Sequence, residues 1–191
     1  MPGSSRSIDG IDMGGGKGSF ARYDRIAVSF HWLSATLVAL AYFSIEMRGS
    51  HTDPHRSWWI GAHVWIGTVL WLVSLARLAW RLWRGAPARA AETVIYARLS
   101  RIVHGLLYAF VLVQPILGML IYNLDGKPIP LAGYPWPIHL VGPVPALWHR
   151  VKEIHEFIGN AFYGVIGLHA CAALYHHLCR GDGTMRRMSF G

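Results

Sequence analysis

Cysteine is scarce in this chain. Only Cys171 and Cys179 occur. One helix would hold them about 12 Å apart, beyond the reach of about 7 Å that a disulfide tolerates. They are therefore not expected to bridge each other. Acidic residues are also few, 10 against 18 basic ones, for a net charge of +8. A nucleic-acid binder would gather such an excess on one soluble face; here the basic residues fall between long apolar runs, which is how topology signals are distributed. The N-terminus lacks a hydrophobic signal core. Residues 1 to 20 are polar and glycine-rich (Gly14, Gly15, Gly16, Gly18) and read as a flexible tail. The first apolar run is then expected to persist as a helix. No internal repeat is visible.

What the chain has in plenty is apolar and aromatic surface. Hydrophobic residues make up 53%, the mean hydropathy is +0.30, and there are 9 tryptophans. Tryptophan favours the membrane–water interface. Four runs approach or exceed the roughly 20 residues that cross a bilayer. They are Ile26 to Met47, Trp58 to Trp83, Leu99 to Tyr122, and Ile154 to Leu178. The expected fold is an all-α membrane protein, a bundle of four transmembrane helices over residues 21–191. Pro115 lies inside the third run, where a kink is expected and tolerated.

Lysine and arginine set the expected orientation. One side holds Arg6, Lys17, Arg22 and Arg25, then Arg77, Arg81, Arg84, Arg89, Arg98 and Arg101, then Arg180, Arg186 and Arg187. The other holds Arg48, Arg56, Lys127, Arg150 and Lys152. The positive-inside rule places both termini in the cytoplasm. The outer link between the third and fourth runs holds Pro128, Pro130, Pro135, Pro137, Pro143 and Pro145. It reads as an extended or turn-rich surface loop, with Trp136 and Trp148 as headgroup anchors.

The eleven histidines divide by location. His51, His55, His139 and His149 fall in expected outer loops and read as solvated. His176 and His177 end the fourth run, where a cation suits a helix C-terminus. His31, His63, His155 and His169 lie at membrane depth, where a polar group marks a functional site by default. Taken singly, each is explained equally well by a hydrogen bond to a neighbouring helix.

Their spacing says more. His155 and His169 are fourteen residues apart, within about 40° of whole turns and about 21 Å along one helix face. The first helix enters from the cytoplasm, so His31 lies towards the inner side. The second and fourth start outside, so His63 and His155 are outer and His169 is inner. This gives two pairs, His31 with His169 and His63 with His155, as bis-histidine ligation of two haems requires. Gly159, Gly164 and Gly167 keep the intervening surface small, either for a flat macrocycle or for close helix packing. No Cys-x-x-Cys-His occurs, so covalent haem attachment is excluded. Arg77, fourteen residues after His63, stands at the inner level. It suits haem propionates or an interfacial snorkelling role. His104 has no depth partner, and reads as a supporting or quinone-site group or as a simple interhelical hydrogen bond.

These residues resemble the bacterial cytochrome b561 family. The matching pieces are Tyr23-Asp-Arg25, Ser29-Phe-His31-Trp32, Met47-Arg48-Gly49, Ile60-Gly-Ala-His63 and Arg77-Leu-Ala-Trp-Arg81. They continue through His104, Pro115, Gly118 and His155-Glu156 to Gly167-Leu-His169-Ala, His176-His177 and Asp182 to Met188. The segment before Ser19 departs from the family. The resemblance implies two non-covalent b haems ligated by His31 and His169 (inner) and by His63 and His155 (outer). It implies a bacterial inner-membrane electron conduit to quinone, of the superoxide:ubiquinone oxidoreductase type.

No catalytic residue is readable. Arg25, Arg77, Arg81 and His104 are the haem-propionate or quinone candidates. Arg48, Arg56, Lys127, Arg150 and Lys152 are candidates for attracting superoxide, offset by Glu46, Asp53, Asp125, Glu153 and Glu156. The alternative is a cytochrome b subunit that anchors a hydrogenase or dehydrogenase, with a redox partner protein. A non-redox bundle, in which the histidines only hold helices together, would carry no haem; the paired depths argue against it.

Overall fold

The computed structural model describes residues 23–85, 94–128, 130, 131, 134, 135, 141–181 and 185–190. The expected N-terminal tail, Arg89, Trp136, Pro137 and His139 lie outside these residues. Four long helices carry the fold: α1 (Arg25–Glu46), α2 (Arg56–Arg84), α3 (Val94–Leu124) and α4 (Pro145–Tyr175). Each is long and apolar enough to cross a membrane. A π-helical turn (His176–Arg180) extends α4, and a 3-10 turn (Met185–Met188) follows. Between α3 and α4 lies a two-residue antiparallel pair, β1 (Pro130–Leu131) and β2 (Tyr134–Pro135).

The helix ends differ from the sequence reading in instructive places. α4 begins at Pro145 rather than Ile154. Proline is pre-organised for the first helical turn, where its missing N–H costs nothing. His149 and Trp148, expected in a loop, are therefore helical. α3 begins at Val94 rather than Leu99, so His104 lies well inside the helix instead of starting it. Pro115 sits within α3 and its ring faces Gly67 of α2.

Few side chains are fully buried. They include small polar groups at helix contacts, among them Ser34, Ser44 and Thr68. Small residues let helices approach closely where lipid supplies no hydrophobic drive. The hydroxyls of these three are satisfied within their own helices: Ser34 Oγ donates to Phe30 O at 2.7 Å, Ser44 Oγ to Ala41 O at 2.8 Å, and Thr68 Oγ1 to Val64 O at 2.9 Å. Large apolar residues such as Leu72, Ile102, Phe157 and Leu168 point outward, as a lipid-facing surface demands.

Packing runs in sequence, α1 on α2, α2 on α3 and α3 on α4. The backbones of α1 and α4 scarcely approach each other. Long side chains bridge them instead: Tyr42 Oη donates to Gly159 O at 2.7 Å, and Tyr163 Oη to Glu46 Oε1 at 2.9 Å. The C-terminal turn folds back to the start of α1, where Trp32 Nε1 donates to Met188 O at 2.8 Å and Tyr23 N to Arg187 O at 3.4 Å.

Asp24 fastens the same end. Its carboxylate caps α1 by accepting from Ala27 N at 2.9 Å, and both oxygens accept from Trp80 Nε1 of α2 at 3.1 and 3.2 Å. The Ala27 N–H is the main cause that holds this carboxyl below its ordinary value; partial burial opposes it and Trp80 adds to it. A depressed carboxyl stabilises the fold above its unfolded value, about 3.9, and loses that contribution as pH falls through the folded value. Asp24→Ala should cost about 1 kcal/mol at neutral pH, the usual worth of a cap. Thermal unfolding in detergent should show the gap from the parent protein closing as the medium is acidified through the carboxylate range.

Candidate functional site

Two pairs of histidines face the space between α1–α2 and α4. At one end, His63 of α2 and His155 of α4 have ring centres 6.2 Å apart, with planes at 88°. His63 Nδ1 lies 2.8 Å from Ala41 O on α1 and donates to it. That bond fixes the tautomer and leaves Nε2 free, which is the arrangement of a ligating histidine. The His155 ring lies against Gly118 of α3, where a Cβ would come within 3.3 Å of Cε1. Its Nδ1 is sealed from solvent and has no hydrogen-bond partner. Gln114 of α3 braces the backbone beside it, Nε2 donating to His155 O at 2.6 Å.

A cavity of about 530 Å³ opens beside this pair, lined by both histidines, by Gly67, Gly118 and Gly159, and by apolar residues such as Val38, Leu70 and Met119. Sites for small molecules and cofactors span about 300–1,000 Å³.

At the other end, His31 of α1 and His169 of α4 have ring centres 6.4 Å apart, with planes at 66°. Two further groups join them. The ring of His104, which the sequence left without a partner, is centred 5.5 Å from His169, and its Nδ1 donates to Ser100 O at 2.6 Å. Arg77 Nη2 donates to His31 Nδ1 at 3.1 Å. Arg77 and Arg81 both lie over the Tyr108 ring, at 5.4 and 5.6 Å. Arg81 also lines a small hollow of about 30 Å³ with Tyr23, Asp24 and Met188. Arg25 is exposed at the start of α1, and no described side-chain contact joins it to these histidines.

Midway between the two levels, Phe110 of α3 and Phe162 of α4 stack, ring centres 3.9 Å apart at 14°. Both are buried. Phe162 is seven residues from His155 and seven from His169, so it stands about 10 Å from each along α4. Among the described residues, no group of three or more His, Cys, Asp or Glu is placed to hold a bare metal ion. Pairs are what a macrocycle supplying its own equatorial ligands needs.

Residues 22–191 match the family described as prokaryotic cytochrome b561. The chain belongs to that family. It is 29% identical over 168 residues to the probable superoxide oxidase CybB of Yersinia pestis, covering 87% of this chain and 95% of that protein. It is 28% identical over 171 residues to cytochrome b561 homolog 2 of Escherichia coli (strain K12), covering 87% and 90%. With cytochrome b561 homolog 1 of the same organism it shares 26% over 170 residues, covering 87% and 96%. The cytochromes b561 bind b-type haem, and this chain is accordingly a multi-pass membrane electron-transfer protein.

The residues present fit that group. Two imidazoles sharing one metal, at about 2.0–2.1 Å per bond, stand with ring centres a little over about 6 Å apart. Both pairs meet this spacing. The unpartnered nitrogen of buried His155 and the glycine-lined cavity fit the same group.

Gln114, Tyr42 and Phe162 went unread in the sequence. Gln114 carried a usable signal, since a lone amide inside an apolar run is costly in lipid. Tyr42 and Phe162 are indistinguishable from ordinary apolar residues until the helices are assembled.

Gly118→Ala should press on His155 and lower the haem retained per chain after purification. Gly61→Ala meets nothing within 4 Å and should retain the parental amount. The reduced pyridine haemochrome spectrum gives both numbers.

Proposed function

We infer that this cytochrome b561 holds two b haems, one on His63 and His155 and one on His31 and His169, and carries electrons between the outer face of a bacterial inner membrane and its quinone pool. The observation that carries the reading is the repeat of one ring separation at two depths on α4. The excess of arginine at the His31 end supports a cytoplasmic position for that end and for both termini.

Bound haem supplies a one-electron carrier at each level. The chain's own residues do the rest. Ala41 O orients His63, Gly118 makes room for the His155 ring, and Gln114 steadies the backbone that carries it. The buried Phe110–Phe162 stack fills the interval with packed side chains. Arg77 cannot keep donating to His31 Nδ1 once Nε2 serves as a ligand, because the neutral ring then needs its proton on Nδ1. The Arg77 guanidinium would then be free to hold a haem propionate. His104 and Arg81, which adjoin the same end, suit the headgroup and proton supply of a quinone.

The donor proposed is superoxide, in line with the relative named a probable superoxide oxidase. Two superoxide ions give two dioxygen molecules and two electrons. Ubiquinone takes these electrons with two protons to become ubiquinol. Bulk steering of the anion is weak, because Lys127 pairs with Asp125 at 2.6 Å and Lys152 with Glu156 at 3.2 Å.

Single His→Ala variants test the reading. Loss of either member of a pair should remove one haem of two, the same one for both members, and leave the other spectrum intact. Superoxide decay followed by stopped flow should accelerate with the protein and ubiquinone together. Full haem content in all four variants would end the ligand assignment. Haem-replete protein without effect on superoxide would end the donor assignment alone.

A further inference from the structure

Arg48 is the guanidinium on the wall of the cavity beside His63 and His155, and no other Lys or Arg among the described residues lines that cavity. It is half-buried, in the turn directly after α1, and lines the same cavity as the His63 ring. Its side chain has no hydrogen-bond acceptor and no carboxylate partner among the described residues. The neighbouring acids are engaged elsewhere. Glu46 accepts from Tyr163 Oη at 2.9 Å, and Glu156 pairs with Lys152 at 3.2 Å.

The turn that presents Arg48 is tightly built. Arg56 Nη1 donates to Gly49 O at 2.9 Å, His55 N to Asp53 Oδ1 at 2.7 Å, and Asp53 N to Ser50 O at 3.1 Å. Gly49 has φ +64, and the Asp53 carboxylate fills the place of any Cβ there. Both facts demand glycine beside Arg48. A partly desolvated cation without a partner is costly. Held by a rigid turn at the wall of a cavity, it is set to receive an anionic oxygen group, and a carboxylate matches the guanidinium fork with two hydrogen bonds.

We propose that Arg48 binds a propionate carboxylate of the haem seated between His63 and His155, and so fixes the rotation of that haem in its cavity. This rests on the haem assignment made above. Superoxide offers the same oxygen-anion chemistry and is the competing occupant.

The test uses full-length protein expressed without haem, in a His31→Ala background so that only the His63 end loads. It is titrated with haem b and, separately, with haem b dimethyl ester, whose propionates carry no charge. Arg48→Gln should weaken haem b binding about tenfold, roughly 1.4 kcal/mol. Arg48→Lys should weaken it less. Neither should change binding of the dimethyl ester relative to the parent. Equal losses for both haems would overturn the proposal and reduce Arg48 to a part of the turn. Unchanged haem affinity with a slower superoxide reaction would also overturn it and make the small anion the ligand. If His63→Ala loads haem as well as its parent does, the haem assignment fails, and that result is separate from either.

Discussion

Helices α1 and α4 carry histidines that face each other, yet their backbones scarcely meet. The gap between them is the feature that the remaining contacts serve. It is kept open by long side chains at fixed points, Tyr42 to Gly159 and Tyr163 to Glu46. Elsewhere the bundle closes by small residues and by hydroxyls that bond within their own helices. A bundle with α1 on α4 in direct contact would bury its imidazoles against each other with unpaired nitrogens, a costly state in hydrocarbon. A metal between them would remove that cost, which is how the proposed haems account for both the gap and the histidines.

Much of this was legible in the sequence, for identifiable reasons. Apolar runs report helices that must bury their backbone in lipid, so the four spans appeared with their middles correct. Their ends did not, because helix ends depend on caps. Pro145 starts α4 early, and Val94 starts α3 before the apolar run itself becomes continuous. The proximity of His31 to His169 and of His63 to His155 followed from depth, since one helix repeats its face about every fourteen residues. Depth alone says nothing of rotation. It therefore named His104 as a candidate but left it without a partner; the packing of α3 on α4 brings its ring beside His169. It also left Arg77 with two open readings, a haem propionate or interfacial snorkelling; in the structure its guanidinium turns inward to His31.

Glycine shows the same division. The sequence marked Gly159, Gly164 and Gly167 as small without saying against what. In the structure, a Cβ at Gly159 would meet Gln114 Nε2 at 3.3 Å, while Gly164 and Gly167 have nothing within 4 Å. Gly118, named only as part of a resemblance, accommodates the His155 ring. Which small residue matters is a question of what stands opposite, and periodicity along one helix does not contain that information.

The two ends of the gap differ in charge, and the difference has a direction. At the His31 end, Arg77 and Arg81 have no carboxylate within ion-pairing distance among the described residues, and Asp24 is committed to Ala27 and Trp80. At the His63 end the cavity wall carries one arginine, Arg48, and two carboxylates, Glu46 and Glu156, neither of which pairs with it. The His63 ring also donates to a carbonyl, which makes an imidazole a stronger electron donor to its metal. A site with nearby cations favours the electron-rich state, and a site with a more basic ligand disfavours it. With haem at both levels, both effects would favour the electron at the His31 end, where His104 and two arginines converge. That sense agrees with the outer donor and the quinone acceptor proposed above.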